Sequence, residues 1–200
     1  MSAETSIPGA DRTDSRRFDA VAITLHWLLA LMILGAICIA VYMTGLDFSL
    51  QRLRVYNWHK WTGISILALS AVRLLWRLAH RPPPLPPRIV RAMPGWQLRA
   101  HRGLHLLLYL LFFIVPLLGW AYSSALGFPI VWFGVLPLPD WVPVNQDFAE
   151  SVLKPLHKGS AFTLALVATV HVAAALKHQF IDRDGLIDRM WPRRNQEPRT

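Results

Sequence analysis

Cysteine occurs once in this chain, at Cys38 inside an apolar run. That leaves no disulfide framework and no thiolate metal site, and the lone thiol reads as a small core residue. Charge is scarce too. Asp, Glu, Lys and Arg make up 16% of the residues against 54% that are apolar, too little charge to cover a soluble domain of 200 residues. Acidic side chains are missing altogether from four long apolar segments, roughly 20–43, 58–78, 102–122 and 155–178. A proton- or ion-coupled transporter would carry an intramembrane carboxylate, so that class is disfavoured. The net charge of +9 comes without a basic helix or an Arg-rich run with interleaved aromatics. Nucleic acid is therefore not an implied partner, and the charge reads as membrane topology and phospholipid contact. No internal repeat is evident.

What is present is a membrane composition. A bilayer core takes about 20 apolar residues per helix, and the four segments meet that length. The first is broken only by His26, and the second carries Arg73 near its far end. Pro116 in the third frees a backbone carbonyl and predicts a kink. The fourth opens at Pro155, a favourable first-turn residue. Residues 44–57 read as a short loop. Residues 79–101 include HRPPPLPPR, which favours extended polyproline structure. Residues 123–154 are apolar but too interrupted by Gly and Pro to span, and their aromatics suit the interface or a lid over the bundle. The apolar run after the polar residues 1–19 is too long for a signal-peptide core and lacks a small-residue cleavage site. It reads as a first span. The expectation is an all-α, integral membrane four-helix bundle, one domain over residues 1–200.

Lys and Arg set the orientation. The N-terminal segment (Arg12, Arg16, Arg17), residues 77–102 and the tail from Lys177 hold fifteen. The other side holds five: Arg52, Arg54, Lys60, Lys154 and Lys158. Both termini are therefore expected in the cytoplasm.

Ionisable groups inside a span are costly and functional by default. A single His bonded to a carbonyl of a neighbouring helix is the bland reading, but depth sorts these histidines into pairs. His59 and His157 begin helices 2 and 4 at the outer face. His26 lies roughly 9 Å and His171 roughly 10 Å inside the inner face, at 1.5 Å per residue. His157 and His171 are 14 residues apart, which places them within about 40° of one face and roughly 21 Å apart along the helix. One helix can so give one axial ligand to each of two stacked haems. Paired imidazoles suit haem iron and leave no open site for dioxygen, favouring electron transfer. Zinc or non-haem iron would want carboxylate or Cys at short spacing. No CxxCH motif is present, so the haems would be b-type and non-covalent. Gly63 and Gly159 would let a flat macrocycle approach the backbone. His105 rivals His26 for the inner site but lies some 5 Å shallower by helical rise, so depth favours His26. His80 and His101 read as interfacial residues without an assigned role. Arg73, near the inner site, is placed to pair with a haem propionate or to snorkel.

The chain resembles the bacterial cytochrome b561 family of di-haem four-helix inner-membrane proteins. The resemblance runs from about Phe18 to Pro192 through LHW at 25–27, HKWTGISIL at 59–67, VRLLWRL at 72–78, HLLLYLLFFIVPLLGW at 105–120, LHKG at 156–159 and VHVAAALKHQF at 170–180. By motif, the family's haem ligands fall on His26, His59, His157 and His171. The resemblance implies an electron carrier between a quinone and a redox partner on the outer face. One branch oxidises superoxide and reduces ubiquinone, and the compact chain with its short tail looks like that free-standing branch. In it the quinone site lies at the inner face, at positions matching Arg88, where Lys can occur in the family, and His178. His178 follows His171 by seven residues, about two turns, so it faces the same side roughly 10 Å nearer the interface. Its imidazole and Arg88 could both donate to a quinone carbonyl. The outer cations, offset by Asp47, Asp140, Asp147 and Glu150, could steer a small anion such as superoxide. The alternative is a cytochrome b subunit that docks a partner dehydrogenase or a periplasmic electron carrier.

Overall fold

The computed structural model describes residues 17–192. Arg12, Arg16, Arg193, Arg194 and Arg199, which enter the charge count, lie outside the described residues. Four long helices carry the architecture. Helix α1 (Ala20–Thr44) starts at Asp19, whose carboxylate accepts the Ala22 N–H at 2.8 Å, and stops at Gly45. Helix α2 (Leu50–Ala79) is capped by the Ser49 hydroxyl on the Arg52 N–H. It ends at His80, two residues before the prolines begin. A short helix α3 (Pro87–Ala92) precedes α4 (Gly95–Ala125). The last helix, α5 (Gln146–Asp182), starts where the Asn145 side chain accepts the Phe148 N–H.

These helices overrun the apolar runs at several ends, because capping side chains and water-accessible carbonyls extend a helix past the hydrocarbon boundary. The expected 44–57 loop shrinks to the turn after Thr44, since α2, capped by Ser49, starts at Leu50, eight residues before the apolar run. The Pro-rich connection is extended only over residues 81–86. Pro87 then serves as a first-turn residue of α3. The last helix begins nine residues before Pro155. Pro155 lacks an N–H, and the π-turn Ala149–Leu153 just before it shifts the pairing so that the Lys154 N–H bonds the Ala149 carbonyl.

Backbone packing runs α1 on α2, α2 on α4 and α4 on α5, whereas α1 and α2 approach α5 chiefly through side chains. Leu29, Ile33, Ile66, Leu108, Leu111, Leu164 and Val167 form the buried centre, with every long helix contributing. Many apolar side chains of the spans point outward: Leu31, Leu34, Leu75, Leu106, Phe162 and Leu166 are all exposed, and so is Cys38, which the sequence placed in the core. A bundle apolar on its outside and helical throughout its spans is the arrangement a bilayer demands.

At one end, residues 126–145 fold over the bundle. A hairpin pairs Val131–Trp132 with Leu136–Pro137, its turn made by Phe133 and Gly134 with φ of 50° and 73°. It is pinned to α2 by the Trp61 indole on the Val131 carbonyl (2.6 Å) and by the Trp132 indole on the Ser65 hydroxyl (3.2 Å). At the other end the C-terminal tail is sewn to the rest. The Trp27 indole donates to the Met190 carbonyl (2.7 Å), and Arg189 donates to the Pro83 and Pro84 carbonyls.

Candidate cofactor site

Two histidine pairs cross the cleft between α5 and the α1–α2 hairpin. The His26 and His171 rings lie 6.2 Å apart, centre to centre, with planes at 72°. The His59 and His157 rings lie 6.2 Å apart at 76°. Two imidazoles bound to opposite sides of one metal, at about 2.0 Å per bond and roughly 1.1 Å from nitrogen to ring centre, should stand about 6.2 Å apart. Both pairs match that span. His105, the rival on α4, has its ring 5.2 Å from that of His171, too close for a trans pair about one iron. Its Nδ1 faces the His101 carbonyl at 2.7 Å.

Hydrogen bonding distinguishes these histidines from one another. The His59 ring lies within reach of the Ala36 carbonyl on α1, but the buried His26 Nδ1 has no hydrogen-bond partner among the described residues, so that ring does not tie two helices together. A polar atom left so in an apolar core is costly unless the site serves another purpose. His157 is different. Its Nδ1–H donates to the Val115 carbonyl at 3.0 Å, which fixes the tautomer and leaves Nε2 as the ligating nitrogen. That approach depends on Gly119: a Cβ there would stand 3.0 Å from His157 Cε1. A Cβ at Gly63 or Gly159 would meet nothing within 4 Å, so both glycines border open space. An all-imidazole donor set with open flanks fits a flat b-type macrocycle.

The structure brings Arg73 close enough to His26, His105 and His171 for its charge to act on all three. Its guanidinium lies 5.5 Å from the Tyr109 ring centre, and that of Arg77 lies 5.4 Å from the same ring. His80 stacks on Trp76 at 3.8 Å, and His101 sits 4.5 Å from His105. Arg88 and His178 converge on one loop. Arg88 donates to the Asp184 carbonyl at 2.9 Å, while the buried His178 donates through Nδ1 to Asp184 Oδ2 at 2.6 Å.

Sequence reasoning missed two residues. Gly119 sits among bulky apolar neighbours in α4, and nothing in the periodicity marks it as facing His157. Asp184 lies beyond the last apolar run. The signal for it was the adjacent Gly185, which takes a left-handed turn with φ of 74°.

Four apolar helices enclosing stacked imidazole pairs define a class, the membrane b-type cytochromes. A family model described as prokaryotic cytochrome b561 matches residues 17–193. The chain is 32% identical over 179 residues to "Cytochrome b561 homolog 2" of Escherichia coli (strain K12), covering 87% of this chain and 90% of that protein. It is 29% identical over 179 residues to "Probable superoxide oxidase CybB" of Yersinia pestis, covering 90% and 98%. The chain belongs to the prokaryotic cytochrome b561 family, and is a multi-pass membrane cytochrome that binds b-type haem.

Proposed function

We propose that the chain is a superoxide:ubiquinone oxidoreductase of the bacterial inner membrane, a single cytochrome b domain with both termini in the cytoplasm. In this reading His59 with His157 and His26 with His171 would hold two b haems through their imidazoles. The observation that carries it is the stacking of the two pairs at opposite ends of one bundle, which offers an electron path across the membrane. Its likeness to a relative named a probable superoxide oxidase supports the choice of substrate.

Haem held by two imidazoles supplies reversible one-electron storage. The chain's own residues do the rest. At the outer end Arg54 and Lys158 are exposed cations, and Lys60, beside His59, donates to the Phe128 carbonyl at 3.2 Å. Lys154 is paired with Glu150 at 2.5 Å and Lys60 is offset by Asp140, so the exposed Arg54 and Lys158 are the groups that draw a small anion inward. The hairpin and its aromatics limit access at that end. At the inner end Arg73, near His26 and His171, would pair with a haem propionate, and His178 with Arg88 would bind the quinone.

Haem-loaded protein in lipid nanodiscs, mixed with superoxide and a short-chain ubiquinone, tests the reading. Superoxide loss coupled to quinol formation, dependent on both histidine pairs, is expected. Haem that superoxide leaves oxidised, in protein that co-purifies with a dehydrogenase or a periplasmic electron carrier, would assign the chain to the docking subunits instead.

A further inference from the structure

We propose that Asp184 is the positioning residue of the quinone site, holding His178 with Nδ1 turned into the protein and Nε2 turned to the ligand. The inference rests on the quinone reading above, and it concerns a residue outside the spans.

The loop is built around this one carboxylate. Asp184 Oδ2 accepts the His178 Nδ1–H at 2.6 Å, and Oδ1 accepts the Leu186 N–H at 3.0 Å. Its own carbonyl accepts Arg88 at 2.9 Å. Every polar atom of Asp184 that can orient a neighbour is so used, and Gly185, in the left-handed region at φ 74°, makes the return turn. His178 opens a π-turn, His178–Asp182, that ends at Arg183 with φ of 49°. The wider turn brings residues 182 and 184 back beneath the ring. Asp182 Oδ2 lies 3.2 Å from the same Nδ1, but Lys177 holds Asp182 through both oxygens at 2.8 and 2.6 Å. Asp184 is therefore the closer and freer acceptor. The charged groups around the ring are Asp182, Asp184 and Lys177 on its own segment, Arg88 on α3, His101 on α4 and Arg189 in the tail.

A carboxylate on one imidazole nitrogen fixes the tautomer and aims the other nitrogen. Quinone reduction takes two electrons and two protons. The electrons come from superoxide oxidised to dioxygen at the opposite face, two superoxide per quinone. When the His178 ring carries both protons, its Nε2–H donates to a quinone carbonyl oxygen. The N–H bond breaks as the O–H bond forms, leaving a neutral ring whose Nδ1–H stays on Asp184. Water at the interface supplies the second proton and reloads Nε2 after the quinol leaves. The Arg88 bond to the Asp184 carbonyl ties the second proposed donor to the same loop, so one residue sets the spacing of both.

The test uses haem-loaded protein in nanodiscs, with Asp184→Asn, Asp184→Glu and His178→Gln. The reduced protein is mixed with a short-chain ubiquinone while haem reoxidation is followed. In parallel, 15N-histidine spectra of the reduced, diamagnetic protein report which nitrogen of His178 holds the proton, its signal identified by its loss in His178→Gln. Asp184→Asn should slow maximal reoxidation roughly tenfold or more with little change in the quinone KM, and should redistribute the His178 proton toward Nε2. Asp184→Glu, which keeps the carboxylate, should recover part of the rate. Slowing in His178→Gln without slowing or tautomer change in Asp184→Asn would overturn the role of Asp184 and leave the quinone reading standing. Unchanged reoxidation in all three variants would overturn both.

Discussion

Gly119 and His157 are fitted to each other across the α4–α5 interface. A Cβ at residue 119 would stand 3.0 Å from His157 Cε1 and 3.3 Å from Nδ1, inside normal packing distance. The missing side chain lets the ring reach the Val115 carbonyl. Gly119→Ala should therefore tilt the ring by tenths of an ångström, and Gly119→Val should displace it, at an overpacking cost of about 1–3 kcal/mol. Electron paramagnetic resonance should show one of two low-spin signals shifted in the first variant and lost in the second. The other signal should stay put.

The two histidine pairs should fail separately. His157→Ala should remove one haem and leave the other with an unchanged spectrum, and His171→Ala should do the converse, because the buried layer of Leu164 and Val167 lies between them on α5. Equal loss of both haems in each variant, with normal membrane insertion, would contradict independent sites.

His105 should be dispensable as a ligand. Its ring is nearer to His171 than His26 is, 5.2 against 6.2 Å, but the shorter distance cannot span a metal bound by both. His105→Gln should keep a six-coordinate low-spin inner haem in the optical and paramagnetic spectra, and His26→Gln should not. A high-spin signal in the first variant alone would reverse the assignment.

Asp19 joins the start of α1 to α2. Slight burial raises its carboxyl, but the Ala22 N–H and the Trp76 indole (3.0 Å) outweigh that and hold it below the usual carboxylate range. Asp19→Ala should cost about 1 kcal/mol, the ordinary value of a lost cap. With a folded-state value below the unfolded one, this contribution is complete above the unfolded pKa of about 3.9 and fades as pH falls through the folded value. Thermal unfolding in detergent should thus separate wild type from Asp19→Ala at pH 6, and the gap should close in strong acid.

How far the sequence speaks is clear from particular residues. Helical rise alone pairs His26 with His171 and His59 with His157, since a membrane removes most freedom in how four antiparallel helices align. Those rings face each other in the structure at equal separations. The connections were less legible. The early starts of α2 and α5 depend on Ser49 and Asn145 acting as caps and on a π-turn absorbing Pro155, choices made by local hydrogen bonds outside the apolar pattern. The tail was illegible for another reason. Trp27 on Met190 and Arg189 on Pro83 join residues more than 100 positions apart, and no short-range signal announces such contacts. His178 entered through the family resemblance, with its spacing from His171 in support, and its partner Asp184 appears only once the chain turns back.

The central claim is that each chain holds two b haems between two imidazole pairs. A pyridine haemochrome assay set against amino-acid analysis of the fully loaded protein measures this directly. The account predicts two non-covalent haems per chain, both low-spin. One haem per chain, or a second that is high-spin in the unmodified protein, would contradict it.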